Sequence, residues 1–251
     1  VSATTYDECV EAVSRAAADR RPAIVSFHAV HALVTASGNR DLCEAVNQFS
    51  ILAPDGQPVR WALNWLHHTQ LQERVYGPEF MLRMCSRAAR EGIPIYLYGG
   101  SQTVIDALRE VLPSRFPGLS LAGAESPPFR ELTAAEDEAV VQRIKSSGAR
   151  IVFIGLGAPK QDCFAHAHRD RIDAVQVCVG AAFDFHAGTL PMAPVWMQRL
   201  GLEWLFRLAR EPRRLWRRYL FTNTAFVARL IAALLRTRAA RRRPASIKEP
   251  V

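Results

Sequence analysis

Three short, predominantly apolar runs, each stopped by glycine, constrain this chain more than any other feature. They are Ile93 to Tyr98 before Gly99-Gly100, Ile151 to Ile154 before Gly155-Leu156-Gly157, and Val175 to Val179 before Gly180. A strand that is apolar along its whole length, with no alternation, must be covered on both faces, which is the condition of a parallel sheet packed between helices. Ala23 to Phe27, entered from Pro22, and Ile51 to Ala53, stopped by Pro54-Asp55-Gly56, read as further strands, and Leu119 to Ala122 as one more.

The segments between these runs carry helical periodicity: Tyr6 to Arg20, His31 to Phe49, Phe80 to Glu91 and Gln102 to Leu112. Thr133-Ala134-Ala135-Glu136 has the spacing of a capping box and opens a helix to about Ser147. The expected fold class is therefore α/β: a Rossmann-like, mostly parallel sheet flanked by helices, with ligands bound beyond the carboxyl ends of the strands. Phe183 to Pro194 reads as irregular. From Gly201 onward the pattern is helical, broken near Pro212, resumed from Trp216 to about Arg238, and followed by a frayed tail from Pro244 to Val251. Residues 1–198 are expected to form the core and residues 199–251 a helical, Arg-rich appendage.

A chain of 251 residues that is 49% hydrophobic can bury a substantial core, which argues against extensive disorder. Its five cysteines stand far apart with no C-x-x-C pair, as expected of reduced thiols and not of a disulfide framework or zinc cage. Val1 to Glu11 lack the basic-then-apolar order of a secretory signal, so the expectation is a cytoplasmic protein unless it adheres to a surface.

Charge is distributed unevenly. Thirteen arginines against Glu203 and Glu211 give the stretch from Arg199 to Arg243 a net +11, so on a chain whose total is +8 the remainder carries −3. Such a segment is drawn to polyanions: phospholipid head groups, nucleic acid or a diphosphate ligand. Ala225 to Leu235 is nearly all apolar but too short to span a bilayer, and basic residues follow it, which fits either an interfacial helix with a polybasic end or a helix packed on the core.

The glycine turns at Gly99-Gly100 and at Gly155-Leu156-Gly157-Ala158-Pro159-Lys160-Gln161 let backbone approach a phosphate at a helix N-terminus, yet neither is a complete nucleotide fingerprint, and tight packing explains them equally. Asp55 is either a turn aspartate or a general base toward a hydroxyl. Asp184, between Phe183 and Phe185, is either a ligand or a carboxylate capping backbone amides. The pairs His28 and His31, His67 and His68, and His166 and His168 lack chelate geometry, and there is no D-x-D pair, so no metal site is expected and any bound diphosphate must be neutralised by arginines. Arginine forks suit phosphate oxygens better than lysine point charges do.

Taken together, these segments resemble the WecG/TagA/CpsF glycosyltransferases. The resemblance rests on Pro54-Asp55-Gly56 with Trp61, Glu73-Arg74-Val75-Tyr76-Gly77, Tyr96 to Gly100, Gly155 to Asp162, Gly180 with Phe183-Asp184 and Ala187-Gly188, and Ala193-Pro194 with Trp196. It continues through Gly201-Leu202-Glu203-Trp204, Arg207, Glu211-Pro212-Arg213 and Arg218-Tyr219, in order, from about Ala23 to Tyr219. It implies inverting, metal-independent transfer of an N-acetylmannosamine-type or uronic acid unit from a UDP-sugar to an undecaprenyl-diphosphate-linked saccharide, at the inner face of the plasma membrane and without a cofactor.

By the same resemblance Asp55 is the base, Arg74 lines its pocket, Gln161 contributes to donor binding, and Arg207, Arg213 and Arg217 or Arg218 close over the diphosphate. Ser26, His28, Gly99, Gly100, Gly155, Gly157, Pro159, Lys160, Gly180 and Asp184 complete the expected substrate site. Three departures stand out: the family's T-x-N is Ser26-Phe27-His28, its R-A-P is Met192-Ala193-Pro194, and its P-K-Q-E ends in Asp162. Expected partners are the UDP-sugar, the polyprenyl-linked acceptor and an anionic membrane surface, with self-association compatible with an apolar C-terminal face and nucleic acid not expected. The rival readings are a nucleotide-dependent oxidoreductase, which lacks the acidic ribose ligand, and a nucleic-acid-binding module, which leaves Asp55, Asp184 and both glycine turns without a role.

Overall fold

The computed structural model describes residues 1–242, with side chains through residue 237. In chain order the elements are α1 (Tyr6–Ala18), β1 (Ala23–His28), α2 (Val30–Ser37), α3 (Arg40–Val46), β2 (Ile51–Pro54), α4 (Gln57–His67) and α5 (Gly77–Glu91). There follow β3 (Ile95–Gly99), α6 (Gln102–Arg115), β4 (Leu121–Glu125), α7 (Ala134–Ser146), β5 (Ile151–Gly155), α8 (Lys160–Ala167) and β6 (Val175–Cys178). The chain then turns helical through α9 (Ala182–His186), α10 (Val195–Arg199), α11 (Glu203–Arg210) and α12 (Pro212–Arg242).

The six strands form one all-parallel sheet in the order β2-β1-β6-β5-β3-β4. Successive side chains of each strand point to opposite faces, and here both faces are buried. Val25, Phe27, Leu97, Phe153 and Val177 pack under α1, α5, α6 and α9, while Ile24, Tyr98, Val152, Ile154 and Cys178 pack under α2, α3, α7 and α8. That is why the strands read as unbroken apolar runs. Each fully buried Leu or Phe contributes about 1.5–3 kcal/mol.

Local chemistry sets the boundaries. Thr133 accepts from the Glu136 amide and Glu136 answers to the Thr133 amide, so the expected capping box is present, and Thr5 with Glu8 makes a second one at α1. His31 to Phe49 is two helices, not one: Gly38 ends α2, and the Asn39 side chain caps α3 by accepting from Leu42 N. The interval expected to be irregular contains α9, and α12 resumes at Pro212 itself, because a proline in the first turn has no amide hydrogen to leave unpaired. The tail from Pro244 to Val251 lies outside the described residues.

Several glycines exist for packing. A Cβ on Gly99 would lie 2.5 Å from the carbonyl carbon of Gly155, one on Gly155 would lie 2.5 Å from the Phe183 ring, and the Tyr96 ring occupies the side-chain position of Gly123. Gly99 also has φ +133, where a side chain is strained. Gly99→Ala should therefore cost about 4 kcal/mol, from overpacking plus backbone strain. Gly148→Ala, in open space at φ +72, should cost only about 1–2 kcal/mol. Urea melts of the two variants test this, and equal losses would contradict the close-packing account.

Candidate active site

The carboxyl ends of β1, β2, β5 and β6 open into a cavity of about 460 Å3, lined from the sheet by Phe27, Asp55, Gly157 and Gly180 and closed by residues of α11 and α12. Strand order reverses here, where the chain has run from β1 outward to β2 and then crossed to β3 beyond β5, so the cavity sits at a switch point of the sheet.

Pairing of β1 with β2 carries Asp55 to the cavity floor, its amide donating to the His28 carbonyl at 3.2 Å. The Val75 amide donates to Pro54 O at 3.0 Å, which lays residues 73–76 beside the end of β2 and sets Arg74 next to Asp55. Arg74 is 8% exposed. Its Nη1 lies 3.9 Å from Asp55 Oδ1, whereas its Nη2 donates to Glu203 Oε2 at 2.8 Å and to Gln198 Oε1 at 3.2 Å. The Tyr76 hydroxyl donates to Glu203 Oε1 at 2.8 Å, and the guanidinium stacks 4.1 Å above the Tyr76 ring.

Burial pushes the Asp55 carboxyl up to about 7, with Glu203 adding to the effect and Arg74 and Arg207 opposing it. A carboxyl group poised near neutrality can take a proton from a hydroxyl at working pH. Arg207 and Arg218 line the same cavity, together with His31, whose imidazole is pushed down to about 4 by burial and by the nearby charges of Arg218 and Arg207.

Gly157 and Gly180 also line the cavity, with positive φ of +76 and +54, and Gln161 from the first turn of α8 points its amide there. Gln161 is 3% exposed and its Oε1 has no protein partner, a buried acceptor that a ligand donor would satisfy.

The other expected residues fall elsewhere. Gly99, Gly100 and Gly155 do not line the cavity; they make the tight β3–β5 junction, with Gly100 N donating to Gly155 O at 3.1 Å. Ser26 and His28 lie beneath the floor: Ser26 Oγ donates to Asp162 Oδ1 at 2.7 Å, and His28 Nε2 lies 3.2 Å from the same oxygen without hydrogen-bond geometry. They act on the cavity only through the placement of α8 and its Gln161. Pro159 and Lys160 are exposed, as are Arg213 and Arg217, and none of the four lines the cavity. Asp184 is half-buried to one side, its carbonyl accepting from Thr189 and Leu190, and burial raises its carboxyl.

Residues to which the sequence assigned no role complete the lining: Tyr76, Glu203, Trp204, Tyr219, Asn223 and Phe226. Four of these lie within the recognisable segments, but Asn223 and Phe226 carry no sequence signal, since only the docking of α12 against α2 and α4 turns them inward. Among the described residues no three His, Cys, Asp or Glu side chains cluster as a metal site.

Fold and cavity thus combine a parallel α/β sheet with a pocket that holds a buried carboxyl group and several arginines, a charge pattern suited to an anionic substrate. The model of the glycosyl transferase WecG/TagA/CpsF family matches residues 1–240, and the chain belongs to that family and is a glycosyltransferase. It is 31% identical over 183 residues, covering 72% of this chain and 69% of the relative, to the N-acetylglucosaminyldiphosphoundecaprenol N-acetyl-beta-D-mannosaminyltransferase of Bacillus subtilis (strain 168).

Inorganic diphosphate tests these arginines directly. Neutralising Arg207 and Arg218 removes the repulsion that depresses His31, so its NMR titration midpoint should rise by about one unit when diphosphate is added. No change in the His31 midpoint at saturating diphosphate would place the anion elsewhere.

Proposed function

We propose that this protein transfers a sugar, of the N-acetylmannosamine type or a uronic acid, from a UDP donor to an undecaprenyl-diphosphate-linked saccharide in polysaccharide synthesis. The relative's name describes such a mannosaminyl transfer to a lipid diphosphate acceptor. The observation that carries the reading is one cavity holding Asp55, raised to about 7, together with Arg207 and Arg218.

The reaction is a single displacement with inversion. The acceptor hydroxyl gives its proton to Asp55 as its oxygen bonds to the anomeric carbon, and the bond from that carbon to the diphosphate breaks, releasing UDP. Negative charge grows on the leaving oxygens, where guanidinium groups stabilise it more than they stabilise the ground state. Arginines fill the role that a divalent ion would otherwise take, so transfer is metal-independent in this reading. Gln161 and the Gly157 and Gly180 turns hold the donor against the wall of the cavity.

We further infer a peripheral position on the inner face of the plasma membrane. The stretch Pro212–Thr237 is long and apolar enough to cross a bilayer by length and composition, and none of its most apolar window is buried. Yet α12 packs along α2 and α4 and lines the cavity, contacts that a spanning helix would forfeit. An interfacial helix keeps them and still buries Trp216, Leu220, Phe221, Ile231 and Leu235, all about half exposed or more, in lipid. The accompanying arginines face anionic head groups.

Two experiments follow. Asp55→Asn should lower transfer by about 10²–10⁴-fold while UDP binding, followed by calorimetry with and without EDTA, persists. The wild-type kcat/KM should rise with pH through about 7, because the base works deprotonated. Stability moves oppositely: a carboxyl group with a raised folded pKa loses stability as pH climbs from the unfolded value toward 7, so Asp55→Asn should melt no lower than wild type above pH 7. Normal transfer by Asp55→Asn would remove Asp55 as the base. Vesicles test the location: binding to phosphatidylglycerol should exceed that to phosphatidylcholine, weaken with salt, and fall in Leu220→Asp/Ile231→Asp.

A further inference from the structure

Arg74 lies within reach of two carboxylates, and its geometry favours one of them. Glu203 Oε2 receives Nη2 at 2.8 Å, while Asp55 Oδ1 stands 3.9 Å from Nη1, beyond hydrogen-bond distance. Three further contacts hold the guanidinium in that attitude. Gln198 accepts from the same Nη2, the Tyr76 hydroxyl fixes the second oxygen of Glu203, and the Tyr76 ring lies flat against the guanidinium.

Glu203 and Gln198 come from α11 and α10, outside the sheet. The turn between these helices docks closely on α4: Gly201, at φ +73, leaves no room for a Cβ without crowding Gln57 and Trp61. The C-terminal helices thus contribute an anion to the floor of the cavity as well as the cations Arg207 and Arg218.

We propose that Glu203 is a positioning residue for the transfer reaction: from the docked appendage it holds the Arg74 guanidinium off Asp55, so that the base keeps no close cationic partner. The inference rests on Asp55 being the base, as proposed above. A carboxylate bridged to a guanidinium at hydrogen-bond distance is a poor proton acceptor, because protonation would forfeit the pair. The same guanidinium engaged by Glu203 neutralises that buried charge and leaves Asp55 free. The groups facing Asp55 are Arg74, Glu203, Arg207, the Gly77 amide, and the phenols of Tyr6 and Tyr76. Of the charged groups among these, Glu203 supports the protonated form, while Arg74 and Arg207 favour the carboxylate.

Loss of the Glu203 charge makes Asp55 the remaining anion for a buried guanidinium, and a small swing of the Arg74 side chain closes the gap. The test reads Asp55 directly in the full chain, by carboxyl 13C NMR titration with the resonance assigned through Asp55→Asn. In Glu203→Gln the midpoint should fall by about one unit or more, and in Glu203→Asp, whose shorter carboxylate still carries charge, by less. The acid limb of kcat/KM against pH should move with it, so that at pH 6 Glu203→Gln retains a several-fold larger share of its own plateau than wild type does. A merely structural contact would lower activity at every pH and leave the midpoint in place.

An unmoved midpoint in Glu203→Gln with wild-type circular dichroism and melting would overturn the proposal. If that variant does not fold, an unmoved midpoint in Glu203→Asp overturns it equally. Should wild type show no transfer at all, the reading of the function fails, while the Asp55 midpoints still decide whether Glu203 controls Arg74.

Discussion

A guanidinium taken out of water must be met by anions or the fold does not form, and Arg74 is nearly fully buried. Its hydrogen-bonded anion is Glu203 on α11, while Asp55 at the end of β2 stands farther off, at 3.9 Å. Removing one partner of such a buried pair typically costs about 3–5 kcal/mol, because the other charge is stranded. The C-terminal helices are therefore joined to the core by an ion pair as well as by apolar contact, and the joint lies at the cavity, which core and C-terminal residues line together.

The cavity then gathers opposite charges. Asp55 stands in an environment that raises its carboxyl group, and Arg207 and Arg218 add to burial in depressing His31. Glycine serves two physical ends around the cavity. Gly157 and Gly180 expose backbone to the cavity wall, whereas Gly99, Gly123 and Gly155 have no side chain because a neighbouring strand or an aromatic ring already fills the space. These uses look alike in a sequence: both are a glycine at or near the end of an apolar run. Sequence alone left phosphate cradle and tight packing open for Gly99-Gly100, and only the neighbouring strand decides between them.

The same limit applies to α12. Its residues were legible as a helix, either interfacial or packed on the core, but its length, its unbroken course from Pro212 and the inward turn of Tyr219, Asn223 and Phe226 follow from docking on α2 and α4. The histidines show it in another way. His28 and His31 are close in sequence, yet His28 lies under the floor beside Asp162 and His31 faces the arginines, because the chain passes from strand to helix between them.

What the sequence determined by itself is whatever depends on local periodicity and on ordered motifs. The unbroken apolar strands demanded a doubly covered parallel sheet, Thr133 to Glu136 specified a helix start, and the ordered segments from Pro54 to Tyr219 pointed to the family. That Asp55, Arg74, Gln161, Arg207 and Arg218 share one cavity agrees with the grouping those segments implied. Tertiary structure alone decided which carboxylate Arg74 serves, that Glu203 belongs to the floor, and that Lys160, Arg213 and Arg217 stay at the surface. Those outcomes depend on small differences in distance, as between 2.8 Å from Arg74 to Glu203 and 3.9 Å from Arg74 to Asp55, among residues that can lie more than a hundred positions apart, and on water being excluded between them. Neither condition leaves a trace in local pattern.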